Sequence, residues 1–248
     1  MTKRPKRKAS GKNAAEFVFK YGSIYNEDIA KGSRHLKKQS VEADIAVAEI
    51  DLSNKQPNFN GKNNNAKNSA KQLTSLVNST ASLLKKGGSA LFFCSPETVS
   101  IVINIAAEAK LQYKNIIVFE DLSKPKASKN LFTSNLNIIL WFCKVGGKPY
   151  LNSAGMPYIS PVIKASYDAD FDKYEEKIIA TQKPVKVYIR LLKWFSKIND
   201  TVLLPNAAGG TGIIAALHLK RNWLAFVSSG KEFSKTKERV DKFKNINN

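Results

Sequence analysis

The sequence predicts an α/β domain in three layers, a mostly parallel sheet covered by helices on both faces, and three observations predict it. Short apolar runs alternate with stretches of helical period along most of the chain. One apolar run, Val202-Leu203-Leu204, passes through the glycine-rich turn Gly209-Gly210-Thr211-Gly212 into a further apolar segment of helical length. At 248 residues and 43% hydrophobic content, the chain has material for one sizeable core.

The first twelve residues hold Lys3, Arg4, Lys6, Arg7, Lys8 and Lys12 with no acid, so residues 1–13 read as a disordered basic arm and the folded domain as 14–248. Asp44 to Ile50 is a short apolar run with the character of a buried strand. Residues 53–68, rich in Asn and Lys with Pro57 and Gly61, read as a long loop beside the strand end. Leu73, Leu76, Val77, Leu83 and Leu84 recur at helical spacing, and Gly87-Gly88 marks the helix end. A strand at 89–94 follows. Ser95 and Pro96 form a cap and first-turn pair for a helix carrying Val99, Val102, Ile103 and Ala106.

Strands are predicted near 115–119 and 137–142, separated by a polar turn. Residues 144–180 carry Gly146, Gly147, Pro149, Gly155, Pro157 and Pro161 among Tyr150, Tyr158 and Tyr167, and read as an irregular insertion. Its tyrosines either pack the insertion or stack on exposed bases. A helix at about 184–197, a strand at 201–204, a helix at 211–219, a strand at 223–227 and a closing helix with Phe233 and Val240 on one face complete the pattern. Trp194, Phe195 and Trp223 read as core or interface.

Charge is the outlying property: 40 Lys and Arg against 20 Asp and Glu give +20, a field that draws polyanions, nucleic acid first and an anionic membrane second. Cys94 and Cys143 lie inside apolar runs and read as buried thiols of a reducing compartment. His35 and His218 stand far apart with no ligand cluster, so no zinc signature exists. No apolar stretch reaches membrane-span length and the N-terminus has no hydrophobic signal core, which implies a cytoplasmic protein, or a nuclear one in a eukaryote.

A strand, a glycine turn and a helix N-terminus form a generic nucleoside site, because glycine lets a ligand approach the backbone. Its neighbourhood is more specific. Thr181-Gln182-Lys183-Pro184, then Val202-Leu203-Leu204-Pro205, Gly210-Thr211, Lys220-Arg221-Asn222-Trp223 and Glu238-Arg239-Val240 resemble the C-terminal half of the amino-group DNA methyltransferases, which methylate adenine N6 or cytosine N4. In that family the order reads TQKP, a strand ending in DPF, a GSGTT turn, and a strand ending in an acid. Ile24-Tyr25-Asn26 with Asp28, residues 43–53, and the strand after Gly87-Gly88 resemble the family's front half. Acceptor motif before cofactor motif is the permuted order of its β class. The resemblance covers residues 22–243 and implies a three-layer Rossmann-like methyltransferase fold.

The departures from the pattern bear on chemistry. Where the family has DPPY, whose Asp and backbone carbonyl receive the target amino group while the ring stacks on the flipped base, the chain has Glu49, Ile50, Asp51 and Leu52. Leu204 replaces the Asp of DPF, Asn206 its Phe, and Val227 the acid that would bind ribose hydroxyls. Gly209, Gly210 and Thr211 remain as a remnant of the turn. The resemblance with these losses implies a silent subunit of a heterodimeric DNA adenine methyltransferase. This chain would bind nucleic acid, DNA or RNA, and hold no cofactor, while a paralogous catalytic partner carries S-adenosylmethionine. Two alternatives stay open: a stand-alone nucleic-acid-binding protein on a silent enzyme fold, and a divergent active methyltransferase using Glu49 or Asp51 as acceptor.

Overall fold

A computed structural model describes residues 16–50, 64–122, 135–155, 158–166, 177–179 and 182–247. The basic arm, Asp51, Leu52, Tyr167 and Thr181 lie outside the described residues.

The chain opens with a short hairpin, β1 (Glu16–Phe19) and β2 (Gly22–Tyr25), then α1 (Ile29–Lys38) and β3 (Ala43–Glu49). Next come α2 (Asn64–Leu83), β4 (Leu84–Cys94), α3 (Val99–Glu108), β5 (Leu111–Asp121) and β6 (Leu136–Lys144). The last third holds β7 (Val162–Ala165), α4 (Val185–Phe195), β8 (Thr201–Leu204), α5 (Thr211–His218), β9 (Asn222–Phe226) and α6 (Gly230–Asn247). The nine strands among the described residues form one sheet in the order β1-β2-β9-β8-β3-β4-β6-β5-β7. Pairing is parallel at β2–β9, β9–β8, β8–β3, β3–β4 and β5–β7, and antiparallel at β1–β2, β4–β6 and β6–β5.

Strand alternation explains why helices cover both faces. On β3, Ile45 and Val47 point into one core with Val202, Leu204, Trp223, Phe93 and the buried sides of α4, α5 and α6. Ala46 and Ala48 point into the other with Leu203, Phe92, Phe226 and residues of α1, α2 and α3. Trp194, Phe195 and Trp223 are all buried in the first core, as expected for core aromatics. Cys94 and Cys143 are buried and free.

Four local expectations are corrected. Helix α2 begins at Asn64, inside the stretch expected to be loop, and ends at Leu83, four residues before Gly87. β4 starts at Leu84 rather than 89: Leu84 pairs with Ala43, and pairing resumes at Ile45 with Ser89, so the residues between bulge outward. Gly87 takes φ +81° there, and a side chain on it would lie 2.6 Å from the Lys148 carbonyl oxygen. Ser95 does not cap α3. It precedes a 3-10 turn, Pro96–Thr98, and the Thr98 hydroxyl donates to the Ser95 carbonyl at 2.9 Å. Within 144–180, residues 162–165 form the edge strand β7 beside β5.

Among the described residues no helix is long and apolar enough to cross a membrane. None of their His, Cys, Asp and Glu residues cluster in threes to hold a metal ion.

Candidate cofactor and acceptor site

Because β2, β9, β8, β3 and β4 run parallel, their C-terminal ends share one edge of the sheet, the edge where open α/β sheets bind ligands. That edge gathers Glu49, Leu204, Asn206, the glycine turn, Val227 and the segment after β2. The fold therefore brings the sequence-identified positions together from separate parts of the chain.

The glycine turn is tied to α6. The Gly209 N–H donates to the Thr236 hydroxyl at 3.1 Å, and its carbonyl accepts from the buried Arg239 guanidinium, which also reaches Thr211 Oγ1 at 3.3 Å. Gly210, in the left-handed conformation, supplies the N-cap position of α5. Gln182 is buried against the turn, its side-chain oxygen accepting the Ile178 N–H at 3.1 Å and lying 3.1 Å from where a Gly209 Cβ would stand. The segment around Gln182, the turn and α6 thus form one packed unit.

Leu204 is 2% exposed and points at α5: its Cδ2 lies 2.5 Å, and its Cδ1 3.1 Å, from the place a Cβ on Gly212 would occupy. The missing side chain at Gly212 is what makes room for the leucine. Val227, also 2% exposed, continues the line of β9, its N–H donating to the Tyr25 carbonyl at 2.9 Å. Both positions that carry acids in the family pattern are therefore apolar and packed into the core.

At the acceptor end, Asn206 holds the end of β3. Its side-chain oxygen accepts the Glu49 N–H at 3.1 Å and its amide nitrogen donates to the Glu49 carbonyl. The Glu49 carboxylate accepts from the Tyr188 hydroxyl at 2.9 Å, and the Tyr188 ring stacks on Phe93 with centroids 5.6 Å apart. Burial pushes the Cys94 thiol, at the end of the adjacent β4, up to about 11, against a smaller opposing effect of its bond to Thr98.

Sequence reasoning pointed to Asp28 and missed its neighbour. The Asp28 carboxylate accepts from the Ala30 N–H at 2.7 Å, so it caps α1. Glu27 turns inward instead, with its side chain 4% exposed, neither oxygen hydrogen-bonded, His35 Nε2 at 3.4 Å and Lys31 Nζ at 3.9 Å. The cap pattern could have shown that only one of the two adjacent acids was free to turn in. Lys183 and Pro184 lead into α4, Pro184 at its N-cap position. Tyr150 is partly buried under the Lys197 ammonium, 4.7 Å from the ring centre, whereas Tyr158 is 80% exposed.

A doubly covered, mostly parallel sheet with a glycine turn at its C-terminal edge is a Rossmann-like architecture. The fold is similar to that of M1.HpyAVI crystallised with SAM, at 20% identity and TM-score 0.71, covering 88% of this chain and 98% of that one. The PvuII cytosine-N4-specific DNA methyltransferase aligns at 14% identity and TM-score 0.72, covering 91% of each chain. TTHA0409 from Thermus thermophilus, complexed with S-adenosyl-L-methionine, aligns at 17% identity and TM-score 0.64, covering 88% of this chain and 92% of that one. No curated protein matches the chain. The DNA methylase family model for N6 and N4 methyltransferases matches residues 50–238, and the chain belongs to that family.

Proposed function

We propose that this chain is a non-catalytic, nucleic-acid-binding and scaffolding subunit of a heterodimeric DNA adenine methyltransferase, whose methyl donor sits in a paralogous catalytic partner. The observation that carries this reading is Leu204, buried against Gly212 at the position of the family's cofactor-side acid. A carboxylate is absent there and again at Val227, so the hydroxyls and ammonium of S-adenosylmethionine would meet hydrocarbon. Unpaired buried polar groups cost about 1–3 kcal/mol each, which lowers affinity by orders of magnitude when two or three are left. The Gly209 N–H, which could face a ligand, is already engaged by Thr236. These residues do not fit the cofactor, although two of the structural relatives were crystallised with it.

The acceptor end supports the same reading. No ring stands at Leu52 to stack on an extruded base, and the Glu49 backbone and carboxylate are held by Asn206 and Tyr188. DNA is the substrate expected of this family, and the net charge of +20 suits a subunit that grips it.

The test is reconstitution with a candidate catalytic partner, a methyltransferase of the same family that retains DPPY and the cofactor acids. Methyl transfer to DNA should require both chains, and Asp51→Ala should leave turnover intact while alanine at the partner's DPPY aspartate abolishes it. Calorimetry should detect no S-adenosylmethionine binding to the isolated chain. A micromolar dissociation constant for the isolated chain, or loss of turnover in an assembled Asp51→Ala complex, would overturn the proposal.

A further inference from the structure

We propose that the edge of the sheet opposite the candidate site is a second nucleic-acid contact, taking the phosphate backbone of DNA. The C-termini of α1, α2 and α3 and the end of β6 all reach this edge. Lys37 stands in the last turn of α1, Lys86 two residues into β4, Lys110 just before β5, Lys144 at the end of β6 and Lys148 four residues later. Backbone contacts fix three of these segments together. The Val145 N–H donates to the Lys110 carbonyl at 3.1 Å, and a Cβ on Gly147 would lie 2.7 Å from the Gly87 nitrogen and 2.8 Å from the Lys86 carbonyl.

The cations crowd one another. Lys144 donates to the Ala109 carbonyl at 3.2 Å, and its pKa is lowered by burial and then by the charges of Lys110 and Lys37. That bond to a helix C-terminus accounts for Lys144. It does not account for Lys37, Lys86, Lys110 and Lys148, which are exposed and make no ion pair among the described residues. Of the nearby acids, Asp44 is taken by Lys85 and the Thr201 N–H, and Asp200 by the Lys197 N–H. Glu42 and Glu108 are single exposed charges. The surface is left with a positive excess spread over strand tips and glycine turns.

Lysine is depleted from protein–protein interfaces, whereas phosphate oxygens are the usual partners of exposed lysine in protein–DNA complexes. The cations stand on separate turns and strand ends held side by side, so they present positive charge across the edge and not along a single helix. Contact here leaves the C-terminal edge free.

The experiment is a salt titration of full-length chain binding a fluorescent 20-base-pair duplex, comparing the wild type with the triple variant Lys86→Gln, Lys110→Gln, Lys148→Gln. Three lost phosphate contacts at roughly 0.9 each flatten the slope of log K against log salt by about 2.7. Between 50 and 200 mM salt the wild type should then lose roughly 40-fold more affinity than the variant. A control variant with the same charge loss on α4 and α6, Lys193→Gln, Lys231→Gln, Lys235→Gln, should keep more of the slope. An unchanged slope in the first variant, or an equal loss in the control, would overturn the proposal. Binding alone is read, so the result is independent of whether this chain holds a methyl donor.

Discussion

Replacing Gly212 with alanine should destabilise this protein, although the same change in an open helix stabilises. Gly212 lies in the first turn of α5, and alanine there gains up to about 1 kcal/mol of helix propensity. Against that gain, the new Cβ would lie 2.5 Å from Leu204 Cδ2 and 3.1 Å from both Leu204 Cδ1 and Tyr188 Cε1. Overpacking of this kind costs about 1–3 kcal/mol, so the net effect is a loss of about 1–2 kcal/mol. Leu204→Ala alone should cost about 2–5 kcal/mol, because the side chain is fully buried. In the Leu204→Ala background both Leu204 methyls are gone and only the 3.1 Å contact with Tyr188 Cε1 remains, so Gly212→Ala should become close to neutral. The coupling between the two sites is then of the order of 2 kcal/mol, within the range for residues in contact. Urea denaturation of the four proteins followed by tryptophan fluorescence measures it, with a midpoint shift of roughly 0.5–1 M for Gly212→Ala at an m-value of about 2 kcal/mol/M. If Gly212→Ala has the same sign and size in both backgrounds, Leu204 does not fill the space over α5, and the argument from its burial fails with it.

Asn206→Ala should cost about 1–2 kcal/mol in the same assay, the value of two hydrogen bonds to a strand end that water reaches. Asn206→Asp should cost more, since its carboxylate would face the Glu49 carbonyl; an equal or smaller loss would refute the assigned geometry. Cys94 should resist alkylation at pH 8 in the folded protein and react on unfolding, because at a pKa of about 11 only about one molecule in a thousand carries thiolate. Its raised folded-state value also means that stability is lost as pH climbs from 9 towards 11, where the unfolded thiol ionises first; flat stability over that window would contradict it. Removal of residues 1–12 should flatten the salt dependence of single-stranded DNA binding by about 4, from roughly 0.7 per phosphate for six cations, without changing target preference. An unchanged slope would show that the arm does not touch phosphates.

The elements that sequence made legible are those whose burial is decided locally. β3, β8 and β9 are short apolar runs buried on both faces, and α4 carries a broad apolar stripe, so period and length were sufficient to find them. β1, β2 and α1 gave no such signal: two strands of four residues and a helix with only Ile29 and Leu36 as large buried apolar side chains owe their structure to partners far along the chain. The early start of β4 has the same origin, because pairing with Ala43 overrides the glycines that suggested a helix end. At the site, the loss of acids was visible at Leu204 and Val227, but what replaces them was not. That Gly212 accommodates the leucine, that Asn206 grips Glu49 and that Glu27 turns inward all depend on distances between segments separated in sequence.

The pairing of β2 with β9 has a consequence for how the chain is made. Strand 22–25 finds its parallel neighbour at 222–226, and Phe226 also packs on Gly32 of α1. During synthesis the hairpin of residues 16–25 therefore waits for almost the whole chain before it can join the sheet. Contacts of such sequence separation are slow to form and leave β2 as an open edge in the meantime. Truncation at 221 would unsettle both ends of the protein at once: β9 and α6 would be missing, the β1–β2 hairpin would lose the strand that joins it to the sheet, and α1 would keep only its packing on α2 and β3.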